Sequence, residues 1–199
     1  QLDDVRPQPQ ALAARNQEIV VQNDAGDLAL LGSGVQAHTH LDAMAAVRPL
    51  NRVRIWSRSA ANAARFAAEA AARCPVPIEV MANPGLACRG ADLICTVTGS
   101  RTPVLERGWV ADGAHLNAVG ASLAAAREID SDTVAAARVF ADRRESLLAE
   151  SGDFLIPKSE GRFGVDHLLG ELGEVLLGRV AGRLEAKDLT LFKSLGLAI

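Results

Sequence analysis

The residues best suited to chemistry in this 199-residue chain are two glycines and what flanks them. Gly32, Gly34 and Ala37 spell Gly-x-Gly-x-x-Ala directly after the apolar run Leu28-Ala29-Leu30-Leu31, and the chain then turns alanine-rich and helix-favouring. A strand, a tight turn and a helix start in that order are the layout of a dinucleotide-binding unit. Gly32 lets the chain turn where a side chain would clash. Gly34 lets the backbone approach a pyrophosphate, and Ala37 is small enough for helix and strand to pack closely. The phosphates would lie at the helix N-terminus, where unpaired N–H groups and the helix dipole favour negative charge. A strand-to-helix turn built of small residues has the same spelling, so the motif needs support from elsewhere in the chain.

The second strand supplies some. An NAD-binding unit usually ends that strand in Asp or Glu, which bonds the adenosine ribose hydroxyls. Here it ends Trp56-Ser57-Arg58-Ser59. A guanidinium and two hydroxyls suit a 2′-phosphate, through paired, charge-assisted hydrogen bonds. The corner points to NADP, with NAD the second choice; a solvated surface arginine is the bland alternative. Thr96-Val97-Thr98 and Asn117-Ala118-Val119-Gly120-Ala121-Ser122 close two later strands with small residues, leaving room for a flat ring or simply for close packing. His38 and His40, two apart on a helix, face different ways and make a poor metal pair. His115 and His167 join no constellation, so no metal site is expected. No Gly-x-Ser-x-Gly elbow supports a Ser-His-Asp hydrolase.

The elements that must position these residues alternate. Strands are expected at 27–31, 52–56, 76–81, 92–97, 114–120, 138–142 and 188–192, and helices at 35–47, 60–73, 143–150 and 165–177, with one or two helical turns in 83–90. This reads as an α/β, doubly wound, mostly parallel Rossmann sheet with helices on both faces. Right-handed crossovers then bring the ends of strands one, two and four around one crevice. Residues 1–24 read as a connector, with a helix possible by pattern over 11–21, and residues 25–199 as the dinucleotide-binding domain.

Composition narrows the class. A net charge of −3 without a Lys/Arg block leaves no electrostatic footprint for nucleic acid. Three cysteines at spacings matching no common zinc pattern read as reduced thiols, which suits a cytoplasmic protein. No apolar run reaches membrane-spanning length and the N-terminus lacks a signal-peptide layout.

Several stretches together resemble one family. Gly32-Ser33-Gly34-Val35-Gln36-Ala37-His38-Thr39-His40, Val53-Arg54-Ile55-Trp56-Ser57-Arg58, His115-Leu116-Asn117-Ala118-Val119-Gly120-Ala121-Ser122 and Thr190-Leu191-Phe192-Lys193-Ser194-Leu195-Gly196 occur in that order, with Glu150-Ser151-Gly152-Asp153 and Gly170-Glu171-Leu172-Gly173-Glu174 between. The combination is similar to the ornithine cyclodeaminase and mu-crystallin family, nearest its ketimine reductase branch. The resemblance implies reduction of a small amino-acid-derived imine, such as a cyclic ketimine, with NAD(P)H, or cyclisation of ornithine with loss of ammonia; with the corner after the second strand, the reading is an NADPH-dependent ketimine reductase. It places Gly34, Val35 and Gln36 along the pyrophosphate, and Ser57, Arg58, Ser59 and Asn62 around the 2′-phosphate and adenine. Thr98, Val119 and Ser194 would approach the nicotinamide. Cyclodeaminases carry their acid/base aspartate where this chain has Ser122, followed by Pro-Gly-Lys where it has Ala124-Ala125-Ala126, so cyclodeamination is disfavoured. The alternative within the family is a non-catalytic, NADPH-dependent binder of small ligands. The resemblance also implies a homodimer, with a substrate and dimerisation domain before the glycine turn and a helix after Ile199, so the chain is expected to be part of an enzyme.

Overall fold

The computed structural model describes residues 24–74 and 76–196. The expected connector, all but Asp24, and the helix expected over 11–21 lie outside the described residues. Eight strands follow in chain order: β1 (Asp27–Leu31), β2 (Arg52–Trp56), β3 (Ile78–Val80), β4 (Leu93–Thr96), β5 (His115–Ala118), β6 (Arg138–Ala141), β7 (Leu168–Glu171) and β8 (Thr190–Lys193). They form one sheet, ordered β3-β2-β1-β4-β5-β8-β6-β7, with every neighbouring pair parallel. This is the Rossmann arrangement. The winding reverses between β1 and β4, and a crevice opens there at the carboxyl ends of the strands.

The helices are α1 (Val35–Val47), α2 (Ala60–Ala70), α3 (Pro84–Cys88), α4 (Ser131–Ala136), α5 (Arg144–Glu150), α6 (Gly152–Ser159) and α7 (Leu172–Leu176). Side chains alternate across a strand and repeat every third or fourth residue along a helix, and both periods are visible in the core. Leu28 and Leu30 of β1 pack with Ala37, Leu41 and Met44 of α1 and with Ala63, Phe66 and Ala70 of α2. Ala29 and Leu31 point the other way, into a core with Ala87 and Cys88 of α3, Val134 of α4, Leu147 of α5 and Phe154 of α6. The sheet is therefore covered on both faces, as its near-continuous apolar strands require.

The short helix α4, capped by the Asp130 side chain, has no counterpart among the expected elements, and three further elements depart from expectation. The helix expected over 165–177 is a 3-10 turn at Val165–His167, then β7, then α7. Its apolar residues meet the helical period, but Leu168 is buried, Leu169 exposed and Gly170 buried, which is the strand period. Parallel pairing with β6 satisfies the backbone there, and a capping box between Glu171 and Glu174 restarts the chain as a helix. Helix α6 had no counterpart in the sequence reading, because Pro157 inside it removes an N–H and argues locally against a helix. The last strand falls two residues later than expected at its start, and it lies between β5 and β6. Its position inside the sheet brings Lys193 into line with the last residues of β5 and β4.

Candidate cofactor-binding site

Trp56, Leu31, Thr96, Ala118 and Lys193 lie in one row across β2, β1, β4, β5 and β8, and each is the last residue of its strand. The chain segments that leave this row carry nearly every residue singled out in the sequence. Those leaving β1, β2 and β4 line an open cavity of about 300 Å³. Its walls are Gly32, Ser33 and Gly34 beyond β1; Trp56, Ser57, Arg58 and Ser59 at the end of β2, with Asn62 on α2; and Val97, Thr98, Gly99, Ser100 and Val104 beyond β4.

The two glycines do different work. Gly32 has φ of 123°, a left-handed value that disfavours any side chain, and an added Cβ would lie 2.6 Å from the Val97 carbonyl oxygen. It is what lets the end of β1 turn tightly against β4. Gly34 has an ordinary φ of −89°, and an added Cβ would meet nothing within 4 Å. Its missing side chain leaves open space at the start of α1. That first turn has neither a side-chain cap nor an acidic residue. Its unpaired N–H groups and dipole therefore keep a positive end toward the cavity, suited to an anion.

At the corner after β2, the Ser33 hydroxyl donates to the Ser57 hydroxyl at 2.9 Å, joining the glycine turn to the corner. The Ser59 hydroxyl oxygen caps α2 by accepting the Asn62 N–H at 3.3 Å. Its own hydrogen stays available to a ligand oxygen. Arg58 is exposed, lines the cavity and makes no ion pair with any described residue.

Beyond β4 and β5 the main chain is held from beneath. Thr98 N–H donates to Glu128 Oε1 at 2.5 Å and Gly120 N–H donates to Oε2 at 2.8 Å. Burial pushes the Glu128 carboxyl up, and hydrogen bonds from Thr98 pull against that shift. Asp153 Oδ1 accepts from the N–H groups of Glu128 and Ile129 at 2.8 and 3.1 Å. Its Oδ2 lies 3.4 Å from Lys193 Nζ, both residues being almost wholly buried. Burial raises the Asp153 carboxyl and the Lys193 ammonium draws it back. Lys193 also donates to the Ala118 carbonyl at 3.2 Å.

The profile of the ornithine cyclodeaminase/mu-crystallin family matches residues 11–199. The chain belongs to that family. Among curated relatives, the Delta(1)-pyrroline-2-carboxylate reductase of Bacillus cereus is 34% identical over 95% of this chain and 58% of its own length. The ketimine reductase mu-crystallin of Mus musculus is 39% identical over 86% of this chain and 51% of its own. The structure of Thermococcus litoralis Delta(1)-pyrroline-2-carboxylate reductase, in complex with NADH and L-proline, superimposes with a TM-score of 0.89 at 33% identity, covering 94% of this chain and 58% of that one. The chain thus spans about half the length of the curated relatives it matches.

In this family member, the cavity gathers Gly32, Gly34, Ser57, Arg58, Ser59, Asn62 and Thr98, and leaves five expected residues outside its walls. Val35 and Gln36 are exposed on the first turn of α1, and the Gln36 carbonyl accepts from Thr39 and His40. Val119 and Ser194 are half-buried on the same carboxyl edge, held by N–H bonds to Thr96 and Ala118. Ser122 is exposed, past the end of β5. His167 stacks on Phe163 and bonds the Val134 carbonyl, and His115 is buried against Thr190. Among the described residues no group of three His, Cys, Asp or Glu could hold a metal ion, and no helix is long and apolar enough to cross a membrane. Glu128, Asp153 and Lys193 were not singled out in the sequence, although the stretches around Asp153 and Lys193 carried part of the resemblance.

Proposed function

We propose that this chain supplies the NADPH-binding half of an imine reductase acting on the C=N of a small amino-acid-derived imine, such as a cyclic ketimine. The observation that carries the cofactor choice is the corner Ser57-Arg58-Ser59, which offers a cation and hydroxyl donors and no carboxylate. The residues present fit a dinucleotide: open space over Gly34, an uncapped helix start, and a cavity running from β2 past β4. In this reading the N–H groups of Gly34, Val35 and Gln36 receive the pyrophosphate. Ser57, Arg58, Ser59 and Asn62 hold the 2′-phosphate and adenine, and Thr98, Val119 and Ser194 border the nicotinamide. When bound, the reduced nicotinamide supplies the hydride, and the protein's part is to orient the cofactor and keep water away. Ser122, where cyclodeaminases carry an aspartate, offers a hydroxyl near the substrate and no carboxylate, which agrees with reduction and not with ammonia loss. A homodimeric assembly belongs to the same reading.

A second reading has support of its own. Among the described residues, Arg58 is the only ionisable one in the cavity wall, so a site that binds NADPH and a small ligand without turnover would look the same. One assay separates them. With NADPH and a version of the protein extended to the full length of its curated relatives, Δ1-pyrroline-2-carboxylate should consume NADPH absorbance and yield proline. NADPH binding without turnover of that imine or its six-ring homologue would favour the binder, and failure to bind either dinucleotide would refute both.

A further inference from the structure

We propose that Glu128 is a positioning residue that sets the gap between the two loops bracketing the nicotinamide end, without touching the cofactor itself. The inference rests on the cofactor reading above. A fully buried carboxylate is costly unless its oxygens are hydrogen-bonded. Glu128, with no exposed surface, gives one oxygen to the Thr98 N–H and the other to the Gly120 N–H. Those two amides belong to different loops, one just past β4 and one just past β5. The loops meet as closely as backbone allows, since a Cβ on Gly120 would lie 2.0 Å from the Thr98 carbonyl oxygen and 2.6 Å from each Glu128 oxygen.

The residue holds a third point of the same wall. The Glu128 carbonyl accepts from the N–H groups of Val104 and Leu105 at 2.7 and 3.0 Å, and Val104 and Thr98 both line the cavity. Its own N–H is anchored to Asp153, which faces Lys193 at the end of β8. One buried residue therefore ties the loops after β4 and β5 and the return segment at Val104 to β8. None of these bonds reaches the corner after β2 or the glycine turn. Glu128 should govern the nicotinamide end and leave the adenosine end alone.

Glu128→Gln keeps the size but turns an amide NH₂ toward one of the two N–H donors. Gly120→Ala strains the same junction from the other side. Calorimetry compares NADPH with 2′-phospho-ADP-ribose, which lacks the nicotinamide. In both variants NADPH binding should weaken by about ten- to a hundredfold, the scale of one lost charge-assisted bond, while 2′-phospho-ADP-ribose binding stays at the wild-type level. The fluorescence of bound NADPH should shift toward that of free NADPH in the same variants. A wild-type measurement needs no variant: exchange of the Thr98 and Gly120 amides should slow with NADPH and not with 2′-phospho-ADP-ribose. Equal loss of both ligands, no loss of either, or exchange that does not distinguish them would overturn the assignment. If wild-type protein binds 2′-phospho-ADP-ribose and the variants bind NADPH unchanged, Glu128 alone is misassigned. If wild type binds neither ligand, the cofactor reading itself falls and takes this inference with it.

Discussion

In the proposed reading, cofactor choice turns on Arg58. It is exposed at the cavity edge and unpaired among the described residues, so a phosphate would find it free. A charge-assisted arginine–phosphate contact contributes roughly 1.5–3 kcal/mol when shielded, and exposure moves this site toward the lower figure. Arg58→Ala should weaken NADPH binding by about tenfold and leave NADH nearly unchanged. Ser57→Asp should go further, repelling the phosphate and offering NADH an acceptor for its ribose hydroxyls. Calorimetry with both cofactors at low and high salt checks this; salt should erode the NADPH preference. A wild type that binds both dinucleotides equally would remove the corner's role. The place of Arg58 at the cavity edge was legible because the signal is local, a short stretch read against the glycine turn before it. Glu128 was not, because what it does depends on Thr98, 30 residues away, and on fold contacts no spacing announces. Lys193 likewise looks like any surface lysine until β8 is seen inside the sheet.

At the scale of elements, the strand–turn–helix at β1 and α1 separates two uses of glycine. Gly32→Ala forces a side chain into a left-handed conformation and against the Val97 carbonyl. It should cost about 1–3 kcal/mol of stability and disturb binding with it. Gly34→Ala meets no atom and needs no unusual φ. Its fold should lose less than about 1 kcal/mol, as a weaker N-cap. Its cofactor affinity should nevertheless fall, because the new methyl occupies the space over the helix start. Urea unfolding and dinucleotide titration on the pair give the two readouts; a Gly34→Ala protein that binds normally would place the phosphates elsewhere. This unit is legible in the sequence because strand period, turn residues and helix period change over within a few residues. β7 is not, because Val165, Leu168, Leu169, Leu172 and Val175 suit a helix as well as a strand. Only the pairing partner, β6, decides between them. Nor is α6 legible, because Pro157 is a local argument against a helix that buried Phe154 and Asp153 outweigh.

The whole sheet was foreseeable in class and not in order. Alternating apolar strands and alanine-rich helices specify a doubly wound fold, but nothing local says that the last strand enters between the fifth and sixth. That insertion has a measurable consequence through His115. The imidazole of β5 is buried and its Nδ1 lies 2.8 Å from the Thr190 hydroxyl of β8, near Arg183. Burial, with Arg183 adding to it, lowers its pKa from 6.5 to about 3. In the unfolded chain the same histidine takes a proton near its ordinary value, so between those limits the unfolded state binds more protons. The stabilisation is complete above pH 6.5 and is lost as pH falls toward 3, at a slope approaching about 1.4 kcal/mol per pH unit. Glu128 and Asp153, whose pKa values are raised, act with the opposite sign, since the folded state holds their protons longer and gains stability as they protonate. The wild-type profile alone therefore mixes the two. Urea unfolding from pH 7.5 to 4 on wild type and His115→Gln separates them: the variant should lose the histidine's downward limb, and the gap between the two curves should narrow as pH falls. A gap that stays constant with pH would mean that His115 is not held neutral between β5 and β8.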